Sequence, residues 1–202
     1  MTAPPSAPAC ERNKGPILEV LHREFADRRS VIEIGSGTGQ HAVYFAAQMP
    51  HLVWQTSDLP ENHPGIAAWL KHVPLGNTRA PLTLDVESAD VASLQSMTFD
   101  ASFSANTAHI MGIEAVQAMF DLVGRLLPAG GVFCLYGPFN FDGSFSSPSN
   151  AEFDASLRRR DPAMGIRNIE DLDEFGKTSK LTRKRLYAMP ANNHIAVWIR
   201  AA

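Results

Sequence analysis

Cysteine is nearly absent from this sequence. Cys10 and Cys134 are the only two in 202 residues, which leaves no C-x-x-C pair, no zinc-ligand spacing and no disulfide framework, so no metal is expected and a reducing compartment is the default. Long apolar runs are also missing. None reaches the ~18 residues of a membrane-spanning helix, and the opening MTAPPSAPACERNKG lacks the apolar segment of a secretory leader. A cytoplasmic chain with no membrane partner is expected. There is no surplus of positive charge either: 18 Lys and Arg against 21 Asp and Glu leave a net charge of −3. Affinity for nucleic-acid phosphates needs clustered cations, so nucleic acid is not the expected partner. The basic runs at 158–160 and 177–185 read as solvated faces.

What is present is ordinary globular composition, with 45% apolar and 19% charged residues, unlike the charge-rich, apolar-poor signature of disorder. A chain of 202 residues can bury one core, and a single domain over residues 10–202 is expected. Residues 1–9, with Pro4, Pro5 and Pro8 among small side chains, read as a disordered arm. From Pro16 the spacing of Ile17, Leu18, Leu21 and Phe25 predicts a helix. Strands at 30–34, 52–58, 80–86, 99–106 and 132–137 then alternate with helices at 40–49, 66–73 and 113–127 and a short link at 89–97. Such alternation demands a parallel sheet with helices on both faces, because parallel neighbours need long right-handed crossovers. A Gly/Ser/Pro-rich loop at 138–149, helices at 150–160 and 169–179, and strands at 181–189 and 194–200 follow. The last two strands are joined by a short PANN turn and read as an antiparallel hairpin.

The stretch VIEIGSGTGQ carries the clearest chemistry. A dinucleotide fingerprint is G-x-G-x-x-G, with its third glycine packing a helix against a pyrophosphate site. Here Gly39 arrives one residue early and Gln40 occupies that third position. No Gly-Lys-Ser/Thr follows, which excludes a P-loop. What remains is a loop that lets a ligand approach the backbone closely, with the carboxylate of Glu33 beside it and no lysine to meet phosphate. Asp58, at the expected end of the second strand, stands where open α/β sheets place an acid on a ribose diol, since a carboxylate accepts from both hydroxyls. Asp85 ends the third strand, either near an adenine amino group or as a turn-former. Glu33, Asp58, Asp85 and Asn106 should converge at one sheet edge, and three carboxylates there disfavour an anionic ligand.

These features, VIEIGSGTG with Asp58, Asp85 and the closing hairpin, resemble class I S-adenosylmethionine-dependent methyltransferases. The resemblance implies a Rossmann-like α/β fold with a seven-stranded, mostly parallel sheet of order 3-2-1-4-5-7-6 and strand 7 antiparallel. It also implies that Gly35, Gly37 and Gly39 pass under the methionyl and ribose portion of the cofactor, that Asp58 takes the ribose hydroxyls, that Asp85 flanks the adenine and that Glu33 orients the loop. Residues 10–202 further resemble the methyltransferase-like branch of domain of unknown function 938, through ERNKGPIL, EIGSGTGQHAVYFA, YGPF, SNAEFDASLRRRDPAMGIR and MPANN.

Other candidates carry two readings each. Arg12 and Asn13 are either a charged, capped helix start or a lid over the carboxylate of S-adenosylmethionine. His109 is either a structural residue or a general base facing the transferred methyl. Tyr136, a catalytic candidate, and Phe139, a substrate contact, either wall an acceptor pocket or pack the sheet edge. Asn150, Asp154 and Arg158 lie at i, i+4, i+8 on one helical stripe, either solvated with an Asp154–Arg158 pair or turned inward onto a polar or carboxylated substrate. The expected activity is methyl transfer to a small-molecule acceptor, with S-adenosylhomocysteine as product. The Asn/Asp-Pro-Pro-Tyr motif of base amino methylation is absent, since strand four ends in SANTAH. A non-catalytic cofactor-binding or scaffold protein and a nicotinamide-dependent reductase are the alternatives.

Overall fold

The computed structural model describes residues 3–94 and 96–202. Helix α1 (Pro8–Glu24) leads into β1 (Ser30–Ile34), α2 (Gln40–Gln48), β2 (Val53–Asp58) and, after one 3-10 turn, α3 (His63–His72). The chain continues through β3 (Thr78–Thr83), α4 (Val91–Leu94), β4 (Ala101–Ala105), α5 (Ile113–Leu126) and β5 (Val132–Gly137). It closes with β6 (Phe139–Asn140), α6 (Pro148–Arg160), β7 (Arg167–Asn168), α7 (Ile169–Thr178), β8 (Leu181–Met189) and β9 (Asn193–Arg200).

Seven strands form one sheet in the order β3-β2-β1-β4-β5-β9-β8. Counted along the chain without the two-residue strands β6 and β7, this is 3-2-1-4-5-7-6. The first five are parallel, and β9 runs antiparallel to both β5 and β8. The period-two alternation of strand side chains divides the core into two layers. Val31, Val132, Cys134 and Tyr136 pack with Ile17 and Leu21 of α1, Phe25 just after it and Phe45 of α2. Ile32, Ile34, Phe133 and Leu135 face the other way, onto Val116, Phe120 and Val123 of α5 and Leu172 of α7. The stripe expected on α5 therefore builds one layer, and α1 with α2 builds the other.

Four local expectations shift. Helix α1 starts at Pro8, inside the segment read as a disordered arm, and runs through Pro16. Its start is held by tertiary bonds: Gln40 Nε2 donates to Glu11 Oε1 at 3.0 Å and Trp69 Nε1 donates to the Pro5 carbonyl at 2.7 Å. Strand β3 ends at Thr83, so Asp85 lies two residues beyond it, in the following turn. Helix α3 begins at His63 rather than 66, with Pro64 in its first turn. The loop expected at 138–149 opens with β6, which pairs in parallel with β7 as a separate two-stranded sheet. Two-residue strands carry no periodicity that a sequence reading could detect.

Candidate functional site

The β1–α2 connection requires glycine at all three of its glycine positions. Gly35, Gly37 and Gly39 have φ of 72°, 56° and 88°, in the left-handed region that L side chains avoid. Space adds a second constraint at two of them: a Cβ on Gly35 would stand 2.5 Å from Thr107 Cγ2, and one on Gly39 would stand 2.9 Å from Ile66 Cα. The loop is thus pressed between the β4 turn and α3.

Two carboxylates shape it. Glu33 lies beneath the loop at 2% exposure, accepting from Ser36 Oγ and Trp54 Nε1, each at 3.0 Å. Burial pushes its carboxyl up to about 7; the two hydrogen bonds pull the other way and the charge of Asp58 adds to the rise. Asp58 stands at the end of β2. Its Oδ2 accepts from the Gly37 amide at 2.6 Å, and its Oδ1 accepts from the Leu59 amide and Asn62 Nδ2, both at 2.8 Å. An ionised carboxylate has about four acceptor positions, so these three bonds leave capacity for a ligand hydroxyl. Asp85 is exposed: its oxygens accept from the Glu87 amide and Ser88 Oγ within its own turn, and it lines the cavity.

That cavity, of about 440 Å³, opens at the carboxyl ends of β1, β2 and β4, which is the end where open α/β sheets bind ligands. Gly35, Gly37, Asp58, Asp85 and Asn106 are among the residues that line it. Its apolar walls include Leu59 and Ile110, which are exposed at 38% and 45%. Asp58, Asp85 and Glu87 line it and no Lys or Arg among the described residues does. A larger hollow of about 600 Å³ lies at the opposite sheet edge, around Ser30, Asp100 and Leu127, away from the glycine loop.

Asn106, held at φ 61° with its amide donating to the Tyr136 carbonyl at 2.9 Å, also borders a second cavity of about 250 Å³. Arg12, Asn13, Tyr136, Ala191 and Asn193 complete much of that lining, and no carboxylate among the described residues takes part. Burial raises the Tyr136 phenol above its ordinary value, partly offset by Asn13 and the Arg12 guanidinium. Asn13 is itself fixed, its Oδ1 lying 2.8 Å from His41 Nε2. The fold thus brings Gly35, Gly37, Asp58, Asp85 and Asn106 to the first cavity, leaves Glu33 and Gly39 outside its lining, and brings Arg12, Asn13, Tyr136 and again Asn106 to the second.

The remaining sequence candidates line neither cavity. His109 is buried, edge-on to Phe153 with ring centroids 5.2 Å apart, and burial lowers its imidazole to about 4. Phe139 is buried in β6. Asn150 and Asp154 turn inward at 6% and 5% exposure, yet their bonds go to the chain itself. Asn150 Nδ2 donates to Ser146 Oγ at 2.8 Å and to the Asn192 carbonyl at 3.2 Å, while Asp154 accepts from the Ile166 amide and Arg158 Nε, both at 2.7 Å. One residue escaped the sequence reading. Arg167 is buried and donates to the carbonyls of Ala108, Met111 and Ala163, tying down the turn that carries Ile110 and Met111 into the first cavity. It lies inside the matching stretch DPAMGIR, where only its neighbours in space reveal a role.

The family described as "Protein of unknown function (DUF938)" matches residues 4–200. The chain belongs to this family. Its fold is that of class I S-adenosylmethionine-dependent methyltransferases. An O-methyltransferase family protein from Burkholderia thailandensis superposes with a TM-score of 0.82 over 96% of this chain and 58% of that one, at 15% identity. Human N-acetylserotonin methyltransferase, in complex with SAM, superposes with a TM-score of 0.77 over 96% of this chain and 53% of that one, at 11% identity. A further O-methyltransferase structure, from Nostoc punctiforme, gives 0.77 over 94% and 56%, at 12% identity. The chain spans between half and three fifths of the length of these structures. At such identities the likeness establishes the fold.

Proposed function

We propose that this protein transfers a methyl group from S-adenosylmethionine to a small-molecule acceptor. The observation that supports this most directly is Asp58, whose carboxylate is held against the glycine loop by the Gly37 amide at 2.6 Å while lining the first cavity. The residues fit the cofactor. An adenosine suits a cavity of about 440 Å³ with apolar walls and a carboxylate for its ribose, and a sulfonium suits a site rich in carboxylates. The cofactor supplies an electrophilic methyl, and the protein's work is to bind, align and exclude water. In this reading Asp58 holds the ribose, Leu59 and Ile110 flank the adenine beside Asp85, and the left-handed glycines let the methionyl portion lie close to the backbone.

Two other readings are weaker. A nicotinamide-dependent reductase would need a site for pyrophosphate, whereas Gln40 replaces the third glycine and the first cavity has no cation among its described lining. A purely cofactor-binding scaffold would not need the second cavity that meets the first at Asn106. Titration calorimetry with S-adenosylhomocysteine and with reduced nicotinamide dinucleotide separates the first pair. The methyltransferase reading requires binding of the former and its loss in Asp58→Ala. Transfer of labelled methyl from S-adenosylmethionine into a metabolite extract separates enzyme from scaffold.

A further inference from the structure

We infer that the second cavity takes the acceptor and that the acceptor is a small carboxylate, methylated on oxygen; this rests on the methyltransferase reading above. Size comes first. The cavity of about 250 Å³ falls below the ~300–1,000 Å³ of pockets that hold drug-sized ligands. Its chemistry is then one-sided. Arg12 is its charged side chain, exposed at the rim and without an ion pair among the described residues. A guanidinium offers a planar fork of N–H donors matched to a carboxylate. Asn106 and Tyr136 add an amide and a phenol.

Equally decisive is the lack of a base in the described lining. The Tyr136 hydroxyl, raised by burial, stays protonated and serves as a donor. Glu33 is sealed beneath the glycine loop by Ser36 and Trp54, and His41 stands behind Asn13. His109 does not reach the cavity. A neutral alcohol would have to lose its proton to such a group during transfer, and a cationic amine would find no carboxylate beside it. A carboxylate arrives already ionised. Its oxygen lone pair forms the new O–CH₃ bond while the CH₃–S bond breaks with its electron pair retained on sulfur. The negative and sulfonium charges cancel, the products are a methyl ester and a neutral thioether, and no proton is released.

The test uses the full chain, methyl-labelled S-adenosylmethionine and a metabolite extract, followed by mild alkali. Methyl esters release the label as volatile methanol; ethers, thioethers and N-methyl products retain it. Alkali-volatile label is the expected result. Label retained in an alkali-stable product, or no label transferred by a protein that binds S-adenosylhomocysteine, overturns the inference, the former while leaving the methyltransferase reading intact. Failure to bind S-adenosylhomocysteine instead removes that reading itself. Arg12→Ala is expected to lower ester formation about 10- to 100-fold, the loss of a charge-assisted hydrogen bond, with Arg12→Lys intermediate because charge survives without the fork. Calorimetry on the same variants gives a readout independent of turnover: affinity for S-adenosylhomocysteine should stay close to that of the unaltered protein. Loss of that affinity with ester formation unchanged at saturating cofactor would assign Arg12 to the cofactor and defeat its role here.

Discussion

The Gly37 amide donates to Asp58 Oδ2 at 2.6 Å, joining the glycine loop after β1 to the carboxyl end of β2. One side chain thereby sets the loop and lines the first cavity. Replacing Asp58 by Ala is expected to weaken S-adenosylhomocysteine binding by about 10- to 100-fold, the scale of a hydrogen bond to a charged group. Calorimetry on purified, folded variant checks this; unchanged affinity would remove Asp58 from the cofactor site.

Glu33 makes stability depend on pH in an unusual direction. Its carboxyl is raised from 4.5 to about 7 by burial, so the folded state holds the proton more tightly than the unfolded chain. This contribution is complete below pH about 4.5 and is lost as pH rises through about 7. His41 and His109 act oppositely: burial lowers both to about 4, so their contribution is present above about pH 6.5 and lost as pH falls towards 4. Glu33→Gln retains both histidines and isolates the glutamate. The melting temperature of the variant relative to the unaltered protein should climb between about pH 4.5 and 7. A difference that stays constant across this window would show that Glu33 titrates normally.

Outside the lining of both cavities, Arg185 grips Glu24 with Nε at 2.6 Å and Nη2 at 2.7 Å, while Tyr187 donates to the same carboxylate at 2.6 Å. The Glu24 side chain is only 4% exposed. Arg185→Ala leaves it buried with Tyr187 alone, and a loss of about 1–3 kcal/mol is expected in urea unfolding. Lys177→Ala breaks a pair whose two side chains are 68% and 67% exposed, and its effect should be negligible. Equal losses from the two variants would contradict this ranking.

Arg167 is a positioning residue. Its three carbonyl partners, Ala108, Met111 and Ala163, hold the turn that brings Ile110 to the cavity. Removing the guanidinium orphans those acceptors. In Arg167→Ala, amide hydrogen exchange across 108–112 should accelerate and S-adenosylhomocysteine affinity should fall by about tenfold. Faster exchange with unaltered affinity would confine Arg167 to a purely structural role.

Local features were the legible ones. The run of β-branched residues into VIEIG marked β1 to the residue, and the spacing of Gly35, Gly37 and Gly39 marked a close-approach loop, because left-handed backbone needs glycine wherever it occurs. Helix α5 was legible from its apolar stripe. Start and end points held by distant partners were not. Pro8 opens a helix because Glu11 and Pro5 find Gln40 and Trp69 across the fold. Asn150 and Asp154 face inward as one of their readings had it, but onto Asn192 and Ile166, whose proximity depends on the β8–β9 hairpin and the loop before β7.

By itself the sequence determined the alternation of strands and helices, and hence a parallel sheet, together with the glycine loop and its acidic neighbours, since each follows from short-range sterics and periodicity. Only the tertiary structure decided which polar side chains meet in space. Asn106 is shared by two cavities of opposite charge character, Arg12 reaches the one without carboxylates, and Arg167 braces the other from β7. The physical reason is that burial and pairing across the sheet edge depend on how separate elements pack, and no spacing along the chain encodes that.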